Sequence, residues 1–129
     1  MAICFIFSEF NEVIHGGGGT DSISIASASS GITLTNLSWN DAGGSVTGVE
    51  VNVGSKYADY LDQSGSFHPE GVLVHGGGGD DFITSDGTLL GEGGNDRLVP
   101  QGTNQYGSWT PDVYGGAGRD TFQIDYNSG

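Results

Sequence analysis

Asp21, Asp81, Asp96 and Asp120 each stand five residues after a glycine and two before a large apolar residue. The segments are GGGGTDSIS from Gly16, GGGGDDFIT from Gly76, GEGGNDRLV from Gly91 and GGAGRDTFQ from Gly115. They share the pattern G-G-x-G-x-D-x-U-x, with Ile23, Ile83, Leu98 and Phe122 at the apolar position U, and with Glu92 where the third copy would carry its second glycine. Carboxylates behind glycine runs suit a hard cation. Calcium takes six to eight oxygens and mixes carboxylates with backbone carbonyls. A short loop can aim several carbonyls at one point only where its backbone enters angles that a side chain forbids, and glycine enters them freely.

The four copies resemble the RTX (hemolysin-type) calcium-binding nonapeptide repeats. The resemblance covers residues 72–124 and one isolated copy at 16–24. It implies an all-β fold, a right-handed parallel β-roll or β-helix solenoid with glycine-rich calcium-binding turns. Each six-residue turn would be half a site, with Ca2+ held between two turns stacked on the same side. The ligands so implied are Asp81, Asp96 and Asp120, with the backbone carbonyls of Gly76, Gly78, Asp80, Gly91, Gly93, Asn95, Gly115, Ala117 and Arg119. Asp21 is a further candidate ligand, and the plainer alternative for all four aspartates is a set of solvated turn residues.

Those turns need strands to carry them. Apolar residues recur at spacing two, as at Ile23 and Ile25, Val49, Val51 and Val53, and Val72 and Val74. This is strand periodicity, and no helical pattern competes with it. Strands are expected at 82–84, 88–90, 97–99 and 113–114, joined by the SDG turn and by a long loop from Pro100 to Asp112. The motif aspartates at 21, 81, 96 and 120 are separated by 60, 15 and 24 residues. The last two gaps each suit one complete circuit, so the Asp81, Asp96 and Asp120 turns should stack on one side and hold two ions. The first gap suits three or four degenerate circuits, with NDAGGS at 40–45 as a decayed motif and no good stacked partner for Asp21. Residues 1–71 thus read as a β-rich N-terminal half with one isolated repeat, and residues 72–129 as the calcium-binding roll, in one continuous domain.

Bulk composition agrees with a cation-binding chain. Glycine supplies 25 of 129 residues, against an average of about 7%. Sixteen carboxylates face three basic residues, for a net charge of −13. Such a chain disfavours nucleic acid, which needs a basic surface. No apolar run reaches the length of a membrane-spanning helix, so no membrane insertion is expected. The single cysteine, Cys4, permits no internal disulfide. The opening MAICFIFSEF has no basic stretch and reads as a strand around Ile3, Phe5 and Phe7 rather than a signal peptide.

Other chemistry is weaker. His15, His68 and His75 form no close cluster with Cys4 and read as exposed strand-end residues rather than zinc ligands. Asp80 beside Asp81 suggests a cation turn before acid–base catalysis, and no G-x-S-x-G elbow exists. The chain therefore reads as no enzyme. Tyr106, Trp109 and Tyr114 would either fold over the roll or stack on a sugar or a partner protein. The function expected is an extracellular calcium-binding structural module, folded by calcium and part of a surface layer, filament or other assembly. The alternatives are an accessory domain of a larger secreted enzyme or toxin, and a carbohydrate-binding module. The resemblance implies secretion by a type I route. Partners would be calcium, further copies or other surface proteins, or a polysaccharide.

Overall fold

The computed structural model describes residues 4–6, 13–35, 45–47, 49–63, 72–85, 87–101 and 112–124. These contain strands and no helix. In chain order they are β1 (Cys4–Ile6), β2 (Val13–His15), β3 (Ser22–Ser24), β4 (Thr33–Thr35), β5 (Ser45–Thr47), β6 (Val51–Val53) and β7 (Tyr60–Gln63), followed by β8 (Leu73–Gly78), β9 (Phe82–Ser85), β10 (Thr88–Gly93), β11 (Arg97–Pro100), β12 (Val113–Ala117) and β13 (Thr121–Phe122).

From β6 onward the chain alternates between two parallel sheets. One has the order β1-β3-β6-β8-β10-β12 and the other β4-β7-β9-β11-β13, while β2 and β5 pair as a third, shorter sheet. Every pairing is parallel and in register. Parallel strands lie about 4.8 Å apart, so equivalent residues of successive circuits form columns. In the first sheet Ile23, Asn52, Val74 and Leu89 make one column. In the second, Leu61, Ile83 and Leu98 make another. The apolar members of both columns are buried and belong to one core cluster. Each such Leu or Ile contributes about 1.5–3 kcal/mol by leaving water. The residues flanking the first column, such as Ser22, Ser24, Val51, Val53, Leu73 and His75, are only partly buried, whereas Thr84 and Val99 beside the second column are buried. On the outer face of the second sheet Tyr60 stacks on Phe82, with ring centres 4.8 Å apart and planes 4° from parallel. The Arg97 guanidinium lies 5.6 Å above the Phe82 ring.

The expected strands at 82–84, 88–90, 97–99 and 113–114 are present, with β10 and β12 running on into their glycine turns. Arg97 pairs with Phe82 and Thr121 with Arg97, which gives the expected circuits of 15 and 24 residues (97 − 82 and 121 − 97). The N-terminal half differs. Ser22 pairs with Val51, and Val51 with Leu73, so two circuits of 29 and 22 residues (51 − 22 and 73 − 51) occupy the space in which three or four were expected. Strands from the first sheet to the second are joined by six residues at 54–59, and the motif turns at 76–81, 91–96 and 115–120 have the same length. The return connections vary: 64–72, 86–87 and 101–112. From β6 onward, variation in circuit length is therefore confined to one edge; before it, β3 and β4 are joined by eight residues at 25–32. The NDAGG segment at 40–44, His68, Tyr106 and Trp109 lie outside the described residues.

One core position breaks the apolar rule. Asn52 is 1% exposed, and neither its amide oxygen nor its amide nitrogen has a hydrogen-bond partner. An unsatisfied buried amide costs about 1–3 kcal/mol. Asn52→Val should therefore raise the free energy of unfolding by about that amount. Denaturant titration of both proteins measures it, and a loss of stability would show that the amide is satisfied after all.

Candidate metal centre

The turns Gly76–Asp81, Gly91–Asp96 and Gly115–Asp120 stack on one edge, as their spacing requires. The register places Glu92 beside Gly77 and Gly116, and Gly93 beside Gly78 and Ala117. Gly77, Gly79, Gly94, Gly116 and Gly118 all have φ between 94° and 122°. Glu92, with φ of 76°, is the sole non-glycine at positive φ among the described residues. Its carboxylate Oε1 lies 3.0 Å from His75 Nδ1 on the preceding circuit. His75 thus sits within β8 rather than at a strand end, whereas His15 ends β2 and is exposed.

The aspartates form a column, buried at Asp81 and Asp96 and half-buried at Asp120. The Asp81 N–H donates to Asp96 Oδ1 at 2.9 Å, and the Asp96 N–H donates to Asp120 Oδ1 at 3.1 Å. One oxygen of each carboxylate is thereby used by the backbone of the circuit before it. The other oxygen is not. Asp81 Oδ2 and Asp96 Oδ2 are buried and have no hydrogen-bond partner. A Cβ added to Gly76 would stand 2.5 Å from Asp81 Oδ2 and 2.7 Å from the Gly91 carbonyl oxygen. Gly91 is crowded in the same way by Asp96 Oδ2 and the Gly115 carbonyl, and Gly115 by Asp120 Oδ2. Gly76 and Gly91 must be glycine because a carboxylate and the next turn's carbonyl close over them, and Gly115 because its own turn's carboxylate does. A second column runs alongside: the Asn95 N–H donates to Asp80 Oδ1 at 2.8 Å and the Arg119 N–H to Asn95 Oδ1 at 2.9 Å. The Asp80 and Asn95 side chains are thus each held by the backbone N–H of the equivalent residue on the next circuit.

Sequence patterning missed one member of the column. The Asp59 N–H donates to Asp81 Oδ1 at 2.8 Å, and Asp59 is 4% exposed. Its turn, Gly54-Ser55-Lys56-Tyr57-Ala58-Asp59, keeps the glycine at position one, the aspartate at six and an apolar residue, Leu61, at eight. It lacks the glycines at two and four, which is why the full pattern does not find it. Above it the Ile32 N–H donates to Asp59 Oδ1 at 2.8 Å, so an apolar residue begins the column. Asp21 is placed elsewhere. Its turn leads from β2 into β3 of the first sheet, on the opposite edge, and its N–H donates to Glu50 Oε2 at 2.8 Å. Gly17 and Gly19 keep the motif's positive φ values, 91° and 108°. Asp21 is thus not brought together with the other three.

Electrostatics sharpen the point. Burial pushes the Asp81 carboxyl up to about 7, reinforced by the neighbouring Asp59, Asp96 and Asp80 and opposed by the Asp59 N–H. Burial also raises Asp96, with Asp120 and Asp80 adding to the effect and the Asp81 N–H opposing it. Among the described residues no three His, Cys, Asp or Glu side chains converge. A cation held here would depend on backbone oxygens for most of its shell, which suits calcium and not zinc. Compared with known proteins, the chain matches no family model, no curated protein and no solved structure.

The Asp81 shift sets a pH dependence for the metal-free protein. Its folded pKa of about 7 lies above the ordinary 3.8, so the folded state holds a proton that the unfolded state has released. Stability from this group is complete below pH 4 and is lost as the pH rises through 7, a change on the order of a few kcal/mol. In EDTA the protein should unfold at a lower urea concentration at pH 8 than at pH 5. Asp81→Asn, which keeps the Oδ1 acceptor but carries no proton to lose, should flatten that slope. Equal slopes in the two proteins would mean that Asp81 does not titrate in this range.

Proposed function

We propose that the chain is an extracellular calcium-binding structural module whose folding is coupled to calcium, with the two parallel sheets as the walls of a right-handed β-roll. The observation that carries this reading is the pair of buried oxygens, Asp81 Oδ2 and Asp96 Oδ2, which lack any hydrogen-bond partner and face the carbonyls of Gly91 and Gly115. A buried carboxylate oxygen without a donor is costly. Either a proton or a cation relieves it, and at neutral pH a divalent cation neutralises two neighbouring carboxylates at once. Asp81, Asp96 and Asp120 would hold the metal with the carbonyls of Gly76, Gly78, Asp80, Gly91, Gly93, Asn95, Gly115, Ala117 and Arg119. Calcium would supply positive charge and a flexible oxygen shell. The residues themselves supply the frame: the Asp N–H to Oδ1 ladder fixes each carboxylate, and the left-handed turn residues direct the carbonyls.

Because these oxygens are assembled only when the circuits stack, binding energy becomes folding energy. Sixteen carboxylates against three basic residues make the metal-free chain self-repelling, so its fold would be marginal where calcium is scarce and firm where calcium is plentiful. A role outside the cell or on its surface follows, in a layer, filament or other assembly and without catalysis of its own. Among the described residues Tyr114, Phe122 and Ile124, on the last two strands and just beyond them, are 58%, 50% and 76% exposed. Phe122 pairs in register with Leu98 of the core column. An apolar end of this kind supports contact with further copies.

Circular dichroism should show much less β-structure in EDTA than in millimolar calcium, and an unchanged spectrum and melting temperature would overturn the reading. Position within the column gives a finer test. Asp96 lies between the Asp81 and Asp120 turns, so Asp96→Ala should weaken calcium binding more than Asp21→Ala. Titration calorimetry of both variants decides this, and equal losses would mean that the opposite edge shares the calcium.

A further inference from the structure

The turn Gly54–Asp59 has the length and the register of the three that follow it, and the same crowding. A Cβ on Gly54 would meet the Gly76 carbonyl oxygen and, at 2.9 Å, Asp59 Oδ2. Yet Asp59 is already satisfied. Its Oδ2 accepts the Ser55 N–H at 2.6 Å, and the Ser55 hydroxyl lies 2.9 Å from Oδ1 and 3.0 Å from Oδ2. The Ile32 N–H completes Oδ1. The same hydroxyl oxygen accepts the Tyr57 N–H at 3.0 Å. Ser55 is 3% exposed, so these bonds are shielded from competing water. The corresponding residues of the later turns are Gly77, Glu92 and Gly116, none of which carries a hydroxyl.

The backbone differs too. Positions two and four are left-handed in every later turn, at Gly77 and Gly79, Glu92 and Gly94, Gly116 and Gly118. Ser55 and Tyr57 are not, since Glu92 alone among the described non-glycine residues has positive φ. The Gly54–Asp59 turn thus lacks the left-handed residues that the three later turns share. Lys56, between them, places its ammonium 5.3 Å from the Tyr57 ring centre and adds positive charge to the same turn.

We propose that Ser55 makes the first slot of the column, between the Gly54–Asp59 and Gly76–Asp81 turns, independent of cations. Its hydroxyl and N–H occupy at Asp59 the role that a cation takes at Asp81 and Asp96. The inference rests on the calcium reading for the later slots, but its own basis is the set of bonds around Asp59. The Gly54–Asp59 turn is then complete without metal and forms the surface on which the cation-dependent turns stack.

Two variants test this on the full chain. Ser55→Gly combined with Tyr57→Gly restores the motif glycines, and titration calorimetry with calcium should count one more ion than in the parent protein. An equal count would overturn the proposal. Ser55→Ala keeps the turn backbone but removes the hydroxyl. It should lower the unfolding midpoint equally in EDTA and in calcium, with the ion count unchanged. A loss confined to calcium would show that Ser55 acts through a bound ion, and no loss in either condition would show that it does not hold Asp59. Either result rejects the proposal. If the parent binds no calcium, the reading of the later slots fails, while the Ser55→Ala effect in EDTA still tests the bonds around Asp59.

Discussion

A column of carboxylates withdrawn from water is the constraint from which the rest of this structure follows. Parallel strands in register repeat every residue type at about 4.8 Å, so Asp59, Asp81, Asp96 and Asp120 stand above one another. At that spacing like charges repel strongly in a medium poorer than water. The chain lowers the cost in two ways. Each carboxylate except Asp59 takes the N–H of the aspartate before it, and Asp59 takes the N–H of Ile32. The remaining charge is handled locally, by Ser55 at Asp59 and by the raised proton affinity of Asp81.

The glycines follow from the same constraint. Those that open the turns at Gly54, Gly76 and Gly91 are glycine because a carboxylate and a carbonyl oxygen close over the side where a Cβ would stand, and at Gly115 the carboxylate alone does so. Those at positions two and four are glycine because the backbone there is left-handed. Glu92 departs from the second rule, and its contact with His75 accompanies the departure. A left-handed non-glycine residue costs about 1–2 kcal/mol, which the well-packed circuits on either side accommodate.

Much of this could be read in the chain before its fold was known. The Asp81, Asp96 and Asp120 turns announce themselves by fixed glycine offsets, and their spacing gives the correct circuits because β9, β11 and β13 each begin one residue after a motif aspartate. The Asp59 turn escaped because Ser55 and Tyr57 replace the glycines that mark the pattern, while the features that position it, Gly54, Asp59 and Leu61, are each common alone. Asp21 misled in the opposite way. Its turn has the full glycine pattern, but a pattern does not say which edge it occupies, and the strand before it, β2, belongs to the third sheet. Asn52 could not have been foreseen as core, since only its register with Ile23 and Val74 puts it there.

The two edges of the sheets differ in how they can change over time. On the aspartate edge each of the four column turns from Gly54 to Asp120 has six residues, and one inserted residue would slip every oxygen out of its column. On the other edge the connections span two to twelve residues, at 86–87, 64–72 and 101–112, without disturbing the register. Lengthening a loop there adds little closure entropy. Natural variation, or a grafted peptide, can therefore accumulate along one border while the opposite border keeps its period. New surface can be acquired on the permissive side with no renegotiation of the ladder that holds the strands together.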